Sequence, residues 1–341
     1  MRIVIIGAGA IGGYIGGSLA AAGRPVTFVA RANTAAALRA HGLRLTPGPG
    51  EAALTVRPGV AASVAEALTT PADLLVLAVK AYATGPALAE IAAATTTRLP
   101  CLCLQNGVDA ETEAARALGA ANVLAGTVTT AVSAPEPGAV VVEKRRGVGV
   151  ALGHRLSEPL LAALGAAGVR ARGYAAAGPM TWSKLLTNLL GNATAAILDW
   201  PVAAILADPR LFALEAAAAR EALAVMRALG YGVVDLPGTP VRLLAAAMRL
   251  PPGLARPLLR RGVAGGRGGK RPSLQIDLRS GKRQTEAEWL YGAVARHGAA
   301  RGVPTPVNQG LNELMAGLSS GALDPAEFAG RPAALLARLG R

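Results

Sequence analysis

The sequence predicts an α/β domain followed by an all-α domain, and three observations carry that expectation. The first thirty-one residues read as strand, tight glycine turn, helix and second strand. Uninterrupted apolar runs at 74–79 and 101–104 fit central parallel strands, which are buried on both faces and so show no alternation. Beyond Gly178-Pro179 the apolar period turns helical and stays so to the last residue. The boundary is therefore expected near Ala176, with units of 1–176 and 177–341.

In the first element, Ile3-Val4-Ile5-Ile6 runs straight into Gly7-Ala8-Gly9-Ala10-Ile11-Gly12. A Rossmann-type dinucleotide-binding sheet needs this order. Gly7 permits the sharp turn and Gly9 lets the backbone approach a pyrophosphate. Gly12 allows close helix–strand packing, while the amides from Ala8 through Ala10 and Ile11 face the anion. The glycine spacing alone is unspecific; the strand before it and the helix after it supply its meaning.

A second strand, Pro25-Val26-Thr27-Phe28-Val29, leads to the position that distinguishes the two nicotinamide dinucleotides. A carboxylate there would accept the ribose 2′-hydroxyl, whereas a guanidinium pairs with a 2′-phosphate, so Arg31 points to NADP rather than NAD. The alternative is an arginine solvated on a loop. Residues 3–23 carry no charge and superficially resemble a secretory signal or a membrane span. Six glycines between Gly7 and Gly17 would weaken an apolar helix, and the later strand and Arg31 would then be coincidental. A soluble, cytoplasmic protein that does not engage the membrane is expected.

The chain has 341 residues and a formal net charge of +14, enough length for two cores and enough charge to raise nucleic acid as a partner. Basic residues crowd one region, from Arg256, Arg260 and Arg261 through Arg267, Lys270 and Arg271 to Arg279, Lys282 and Arg283. No interleaved aromatics, helix-turn-helix or zinc-ligand spacing accompany them, so no nucleic-acid partner is expected; a basic face equally suits anionic small molecules. Cys101 and Cys103 sit on alternate positions of one strand and read as core thiols, without metal spacing.

After Arg31, a helix is expected over Thr34–His41, then a hairpin through Leu43–Val56 with its turn at Pro47-Gly48-Pro49-Gly50. Lys80 and Asn106 each fall just past the carboxyl end of a strand, where open α/β sheets place their ligands. Lys80 could instead cap its strand in solvent, and Asn106-Gly107 could be a turn needing positive φ. Val123–Ala151 reads as an antiparallel edge to the sheet, with a turn at Pro135-Glu136-Pro137-Gly138, and a short last strand is expected over Val169–Tyr174.

In the helical half, Lys184, Asn188 and Asn192 recur every fourth residue on an otherwise apolar stretch. Steps of four drift about 40° each, so the three are expected on one stripe of one helix. Inward-facing polar groups of this kind must be satisfied, either by a bound carbonyl compound or by an interhelical network. Pro251-Pro252 breaks a helix, and Gly265–Gly269 reads as a mobile basic connection. Thr285–Gly292 reads as a helix whose first turn is acidic, with Glu286 and Glu288 on different faces.

Taken together, these residues resemble the ketopantoate reductase family over nearly the whole chain. The ordered set is Gly7–Gly12, Lys80, Gln105-Asn106-Gly107, Trp182-Ser183-Lys184-Leu185 with Asn188 and Asn192, Ser273–Asp277, Thr285-Glu286 and Gly302–Asn308. The resemblance implies NADPH-dependent reduction of 2-dehydropantoate to pantoate, on the route to pantothenate and coenzyme A. It implies Lys184 as proton donor with Glu286 as its polar partner. Asn106, Lys184, Asn188, Asn192 and Ser273 would contact substrate, and Lys80, Asn106 and Glu286 the cofactor. The chemistry agrees: hydride reaching a 2-oxo carbon leaves an alkoxide, and a lysine partly shielded from water can protonate it.

The chain departs from the family pattern where substrate would be chosen. Lys270 stands three before Ser273 and Val202 elsewhere, each where asparagine is common, and Tyr291 precedes Gly292 where asparagine is usual. One extra residue separates Asp277 from Glu286. The rival readings are a reductase of another 2-oxo acid and a sensor that binds NADPH without turnover. The expected arrangement places NADPH and a small 2-oxo acid in a cleft between the domains, in an enzyme that could pair as a homodimer.

Overall fold

Ile3 to Ile6 are buried at every position, as a strand covered on both faces requires. The computed structural model describes residues 1–257 and 271–341 and divides into two units, Met1–Thr181 with Leu236–Thr239, and Trp182–Asp235 with Pro240–Arg341. The glycine-rich connection at 265–269 and Arg260, Arg261, Arg267 and Lys270 lie outside the described residues.

In chain order the strands are β1 (Ile3–Ile6), β2 (Val26–Val29), β3 (Leu43–Thr46), β4 (Leu54–Val56), β5 (Gly59–Ala61), β6 (Leu74–Leu77), β7 (Cys101–Cys103), β8 (Val123–Val128), β9 (Ala131–Ser133), β10 (Ala139–Lys144), β11 (Val148–Ala151) and β12 (Ala171–Tyr174). Eight of them form one sheet in the order β12-β11-β8-β7-β6-β1-β2-β5. Every pairing in it is parallel except that of β8 with β11. From β1 the chain builds outward to β2 and β5, then returns to β6 and builds the other way. The topological switch point therefore falls between β1 and β6, and open α/β sheets hold their ligands outside the carboxyl ends at such a point.

Ile3 and Ile5 join the core on one face of this sheet, and Val4 and Ile6 the core on the other. Cys101 and Cys103 share the second core and are free, buried thiols. The thiol of Cys103 is pushed up by its neighbour Cys101 and by burial, which leaves it an unreactive packing group.

A second sheet, in the order β4-β3-β10-β9, corrects the expected edge over Val123–Ala151. That segment splits between the two sheets. β8 continues the main sheet parallel to β7, β9 and β10 pair antiparallel in the second sheet, and β11 returns antiparallel to β8. Thr129 and Thr130 turn the chain between β8 and β9: both amides donate to the Gly147 carbonyl, at 2.9 and 3.3 Å. Apolar alternation shows that a strand has one buried face without showing what covers it. The expected hairpin over Leu43–Val56 is present as β3 and β4, and β10 lies parallel to β3.

The second sheet explains the glycine content of the first helix, α1 (Ala10–Ala21). A β-carbon at Gly16 would lie 2.5 Å from the Phe28 ring and 3.0 Å from Ile5, both in the main sheet. At Gly13 it would meet Val140 at 2.5 Å, and at Gly17 Leu43 at 2.5 Å, both in the second sheet. Residues four apart share a helix face, so Gly13 and Gly17 pack against the second sheet while Gly16, on the adjoining face, packs against the main one. Five further helices complete this unit: α2 (Ala32–His41), α3 (Val64–Ala67), α4 (Thr84–Ala94), α5 (Ala110–Leu118) and α6 (Ser157–Ala166).

The division between units falls inside α7 (Ala177–Leu189), after which come α8 (Asn192–Leu198), α9 (Val202–Ala207), α10 (Pro209–Ala228) and α11 (Val241–Arg249). The excursion Leu236–Thr239 is grouped with the first unit, where the Thr129 hydroxyl lies 2.7 Å from the Pro237 carbonyl. Later helices cover Ser273–Arg279, Ala293–Ala299, Pro306–Ser320 and Pro332–Arg338. Among the described residues no helix is long and apolar enough to cross a membrane.

Two expectations for this unit are corrected. Lys184, Asn188 and Asn192 do not share one helix, because α7 ends at Leu189 and Gly191 takes φ +65° before α8 begins at Asn192. Gly191 is required there, since a β-carbon would also meet Val202 at 2.7 Å. The stretch read as an ordinary helix over Thr285–Gly292 is a π-helix at Glu288–Gly292 that passes directly into the Ala293–Ala299 helix. Its wider turn lets the Glu288 side chain fold over Gly292, where it pairs with Arg296 and accepts from Asn312 at 2.6 Å.

Candidate active site

In the first unit the glycine turn sits at the switch point. The Gly7 amide donates to Val29 on one side and the Ala78 amide to Ile6 on the other, at 3.1 and 2.9 Å. Gly7 takes φ +103°, and a β-carbon on it would stand 2.9 Å from the Ala78 carbonyl; on Gly12 it would stand 1.9 Å from the Gly7 carbonyl. Gly9 differs, because a β-carbon there would meet nothing within 4 Å. It is the N-cap of α1, with no side chain on the helix amides and no acidic residue in the first turn. The turn is thus closed against the sheet and open above the helix terminus, a cradle that fits the pyrophosphate of a dinucleotide.

Three further candidates stand at neighbouring strand ends. Arg31, exposed, is the N-cap of α2 just beyond β2, its carbonyl accepting from Ala35 at 2.8 Å. Lys80, half-buried, follows β6 and starts the 3-10 turn Ala81–Ala83. Asn106, half-buried, follows β7 and precedes Gly107 at φ +101°, so the expected positive-φ turn is present there.

Beside them is a residue the sequence reading quoted without singling out. Gln105 donates from Nε2 to Thr84 at 3.2 Å, while its Oε1 is buried without a hydrogen-bond partner. Its place at the same strand end as Asn106 was the available signal. Glu111, in the first turn of α5, carries a carboxyl pushed up to about 7 by burial, with the nearby charge of Asp109 adding to the rise.

In the second unit, Lys184 and Asn188 lie one turn apart on α7, both half-buried. Asn192 is 5 % exposed, and its Oδ1 accepts from the Leu274 amide at 3.2 Å. That bond brings Asn192 against the start of the Ser273–Arg279 helix, whose first residue is the half-buried Ser273. The same helix is pinned further along: Gln275 donates to Asp199 at 2.9 Å, and Arg279 meets both carboxylate oxygens of Asp199 at 2.6 and 2.5 Å. Glu286 is 2 % exposed whereas Glu288 is exposed, which agrees with their expected opposite faces.

Some motif residues prove to be scaffold. The Glu221 carboxylate accepts from the Val307 and Asn308 amides at 2.9 Å each, and from the Asn308 side chain at 2.7 Å. The Gly302–Asn308 stretch therefore builds the start of the Pro306–Ser320 helix on α10. Among the described residues no cluster of His, Cys, Asp and Glu could hold a metal ion.

A dinucleotide cradle at a switch point, with a separate helical unit that presents a lysine and carboxamides, defines a Rossmann-type oxidoreductase. Models of the ketopantoate reductase PanE/ApbA family match residues 3–154, and of its C-terminal domain residues 178–319. The 2-dehydropantoate 2-reductase of Mesorhizobium japonicum is 32% identical over 331 residues, covering 90% of this chain and 94% of that protein. A PanE/ApbA family ketopantoate reductase from Ralstonia eutropha superposes with a TM-score of 0.80 at 28% identity, covering 94% of this chain and 99% of its own. D-mandelate dehydrogenase, solved with NADH and anilino(oxo)acetate, shares the fold with a TM-score of 0.77 at 22% identity, covering 94% of this chain and 99% of its own. The chain belongs to the ketopantoate reductase family of NAD(P)-dependent oxidoreductases.

Proposed function

We propose that the protein reduces 2-dehydropantoate to pantoate with NADPH, and so serves the formation of pantothenate and coenzyme A. The observation that carries this reading is the conjunction of a closed-below, open-above glycine cradle with half-buried Lys184 and Asn188 one helical turn apart. When bound, NADPH supplies the hydride. Gly7 to Gly12 and the first amides of α1 hold the pyrophosphate, Arg31 pairs with the 2′-phosphate, and Lys80 and Asn106 line the strand ends beyond them.

At the substrate, Lys184 gives its Nζ proton to the oxygen of the C2 carbonyl as the carbon accepts hydride, so the 2-oxo acid becomes the 2-hydroxy acid and lysine is left neutral. Glu286 orients the ammonium and favours its return to the protonated form. Asn188 and Ser273 hold the substrate oxygens by neutral hydrogen bonds, which positions the carbonyl without adding charge. Asn192 fixes Ser273 through Leu274 and turns its remaining amide toward the substrate.

Steady-state oxidation of NADPH and of NADH, measured with ketopantoate and a panel of other 2-oxo acids, tests this reading. The highest kcat/KM is expected for ketopantoate with NADPH. Higher kcat/KM on a different 2-oxo acid would move the substrate assignment, and no turnover on any would remove the enzyme reading.

A further inference from the structure

Tyr291 stands where the family resemblance leads one to expect asparagine, and its ring is fully buried, 0 % exposed. It cannot touch a substrate. Its hydroxyl donates to the Leu189 carbonyl at 2.5 Å and accepts from the Ala193 amide at 2.9 Å. These two groups flank the break at Gly191, one near the end of α7 and the other in the first turn of α8, and helix ends leave such groups without intrahelical partners.

The pattern of connections is specific. Leu189 directly follows Asn188, Ala193 directly follows Asn192, and Leu274, whose amide donates to Asn192, directly follows Ser273. Each of the three residues proposed to hold substrate oxygens is thus next in the chain to a backbone group tied into one network centred on the Tyr291 hydroxyl and the Asn192 carboxamide. The break itself is held from the other side by Glu215, buried, which accepts from the Gly191 amide at 2.6 Å. Lys184 lies five residues before Leu189 on α7.

We infer that Tyr291 is a positioning residue for substrate recognition: its hydroxyl clamps the α7–α8 break so that Asn188, Asn192 and Ser273 hold one register. The inference rests on the proposed 2-oxo acid reductase reading. Because the clamp grips the backbone beside the substrate-holding residues, its loss is expected to register in KM for the 2-oxo acid more than in the chemical step.

Tyr291→Phe keeps the ring and its packing but removes the hydroxyl, leaving the Leu189 carbonyl and Ala193 amide unpaired. At saturating NADPH, KM for ketopantoate is expected to rise about tenfold, the scale of one lost buried hydrogen bond, with kcat within about threefold of the parent. KM for NADPH stays unchanged. Asn192→Ala should raise KM as well, and the Tyr291→Phe/Asn192→Ala double variant should lose less than the product of the two. Amide hydrogen exchange of the ligand-free protein provides a readout independent of turnover. In Tyr291→Phe, exchange should quicken both at 189–193 and at 273–276, while β1 and α1 remain as protected as before.

A lowered melting temperature with unchanged KM, or KM effects that multiply independently, would overturn the inference. So would faster exchange confined to 189–193. If the parent enzyme turns over no 2-oxo acid, the functional reading fails, while exchange at 273–276 still decides whether Tyr291 reaches Ser273.

Discussion

A β-carbon on Gly12 would lie 1.9 Å from the carbonyl oxygen of Gly7, whereas one on Gly9 would touch nothing within 4 Å. The two glycines of one motif therefore answer different demands. Gly12 is fixed by packing within the protein, and Gly9 has no such constraint, so the proposed function assigns it to what the turn must hold. Gly12→Ala should separate helix from strand and cost about 1–3 kcal/mol, as overpacking does, read as a lower melting temperature without any ligand. Gly9→Ala should melt like the parent yet bind NADPH about tenfold or more weakly, because its methyl occupies the space a phosphate needs. Parent-like NADPH titration of Gly9→Ala would show that the cradle is not where the pyrophosphate sits.

Cofactor choice is expected to reside in Arg31. Its backbone is committed to starting α2, and its side chain is exposed at the end of β2. Arg31→Ala should weaken NADPH by roughly 1.5–3 kcal/mol, the scale of a charge-assisted hydrogen bond, and leave NADH unaffected. Equal losses in titrations with the two nucleotides would contradict a 2′-phosphate contact.

Glu111 gives the first unit a pH dependence whose sign is fixed. Its carboxyl is raised to about 7 by burial, against an ordinary value of 4.5. Across that interval the folded state holds the proton that the unfolded chain has released, so stability falls as pH rises from 4.5 to 7 and is level above. Glu111→Gln should raise the melting temperature at pH 8 and change it little at pH 4. Identical pH profiles for parent and variant would show that Glu111 titrates normally.

The elements legible in the sequence were those whose cause is local. β1, the glycine turn and α1 are specified by neighbours within a dozen residues, and Lys80 and Asn106 by their place after apolar strands. What stayed hidden depends on distant partners. Gly13 and Gly17 face Val140 and Leu43, so their purpose could not be read from a nucleotide-binding motif. The break at Gly191 lies in an apolar run that continues on both sides, and Glu215 and Tyr291, packed there from other helices, bond its backbone. Tyr291 was visible as a departure from pattern, but its meaning lay in two backbone groups about a hundred residues away.

The proposed mechanism turns on Lys184, which delivers the proton that completes reduction. The most direct measurement is the single-turnover and steady-state rate of Lys184→Ala with ketopantoate and NADPH, beside its melting temperature and NADPH affinity. A fall in kcat of roughly 10²–10⁴ is expected, the usual worth of general acid catalysis, with NADPH affinity and stability close to those of the parent. Glu286→Ala should also slow turnover, and the double variant should lose less than the product of the single effects. A Lys184→Ala enzyme that is less stable but turns over within a few-fold of the parent, with no coupling to Glu286, would contradict the claim and make Lys184 a structural residue of α7.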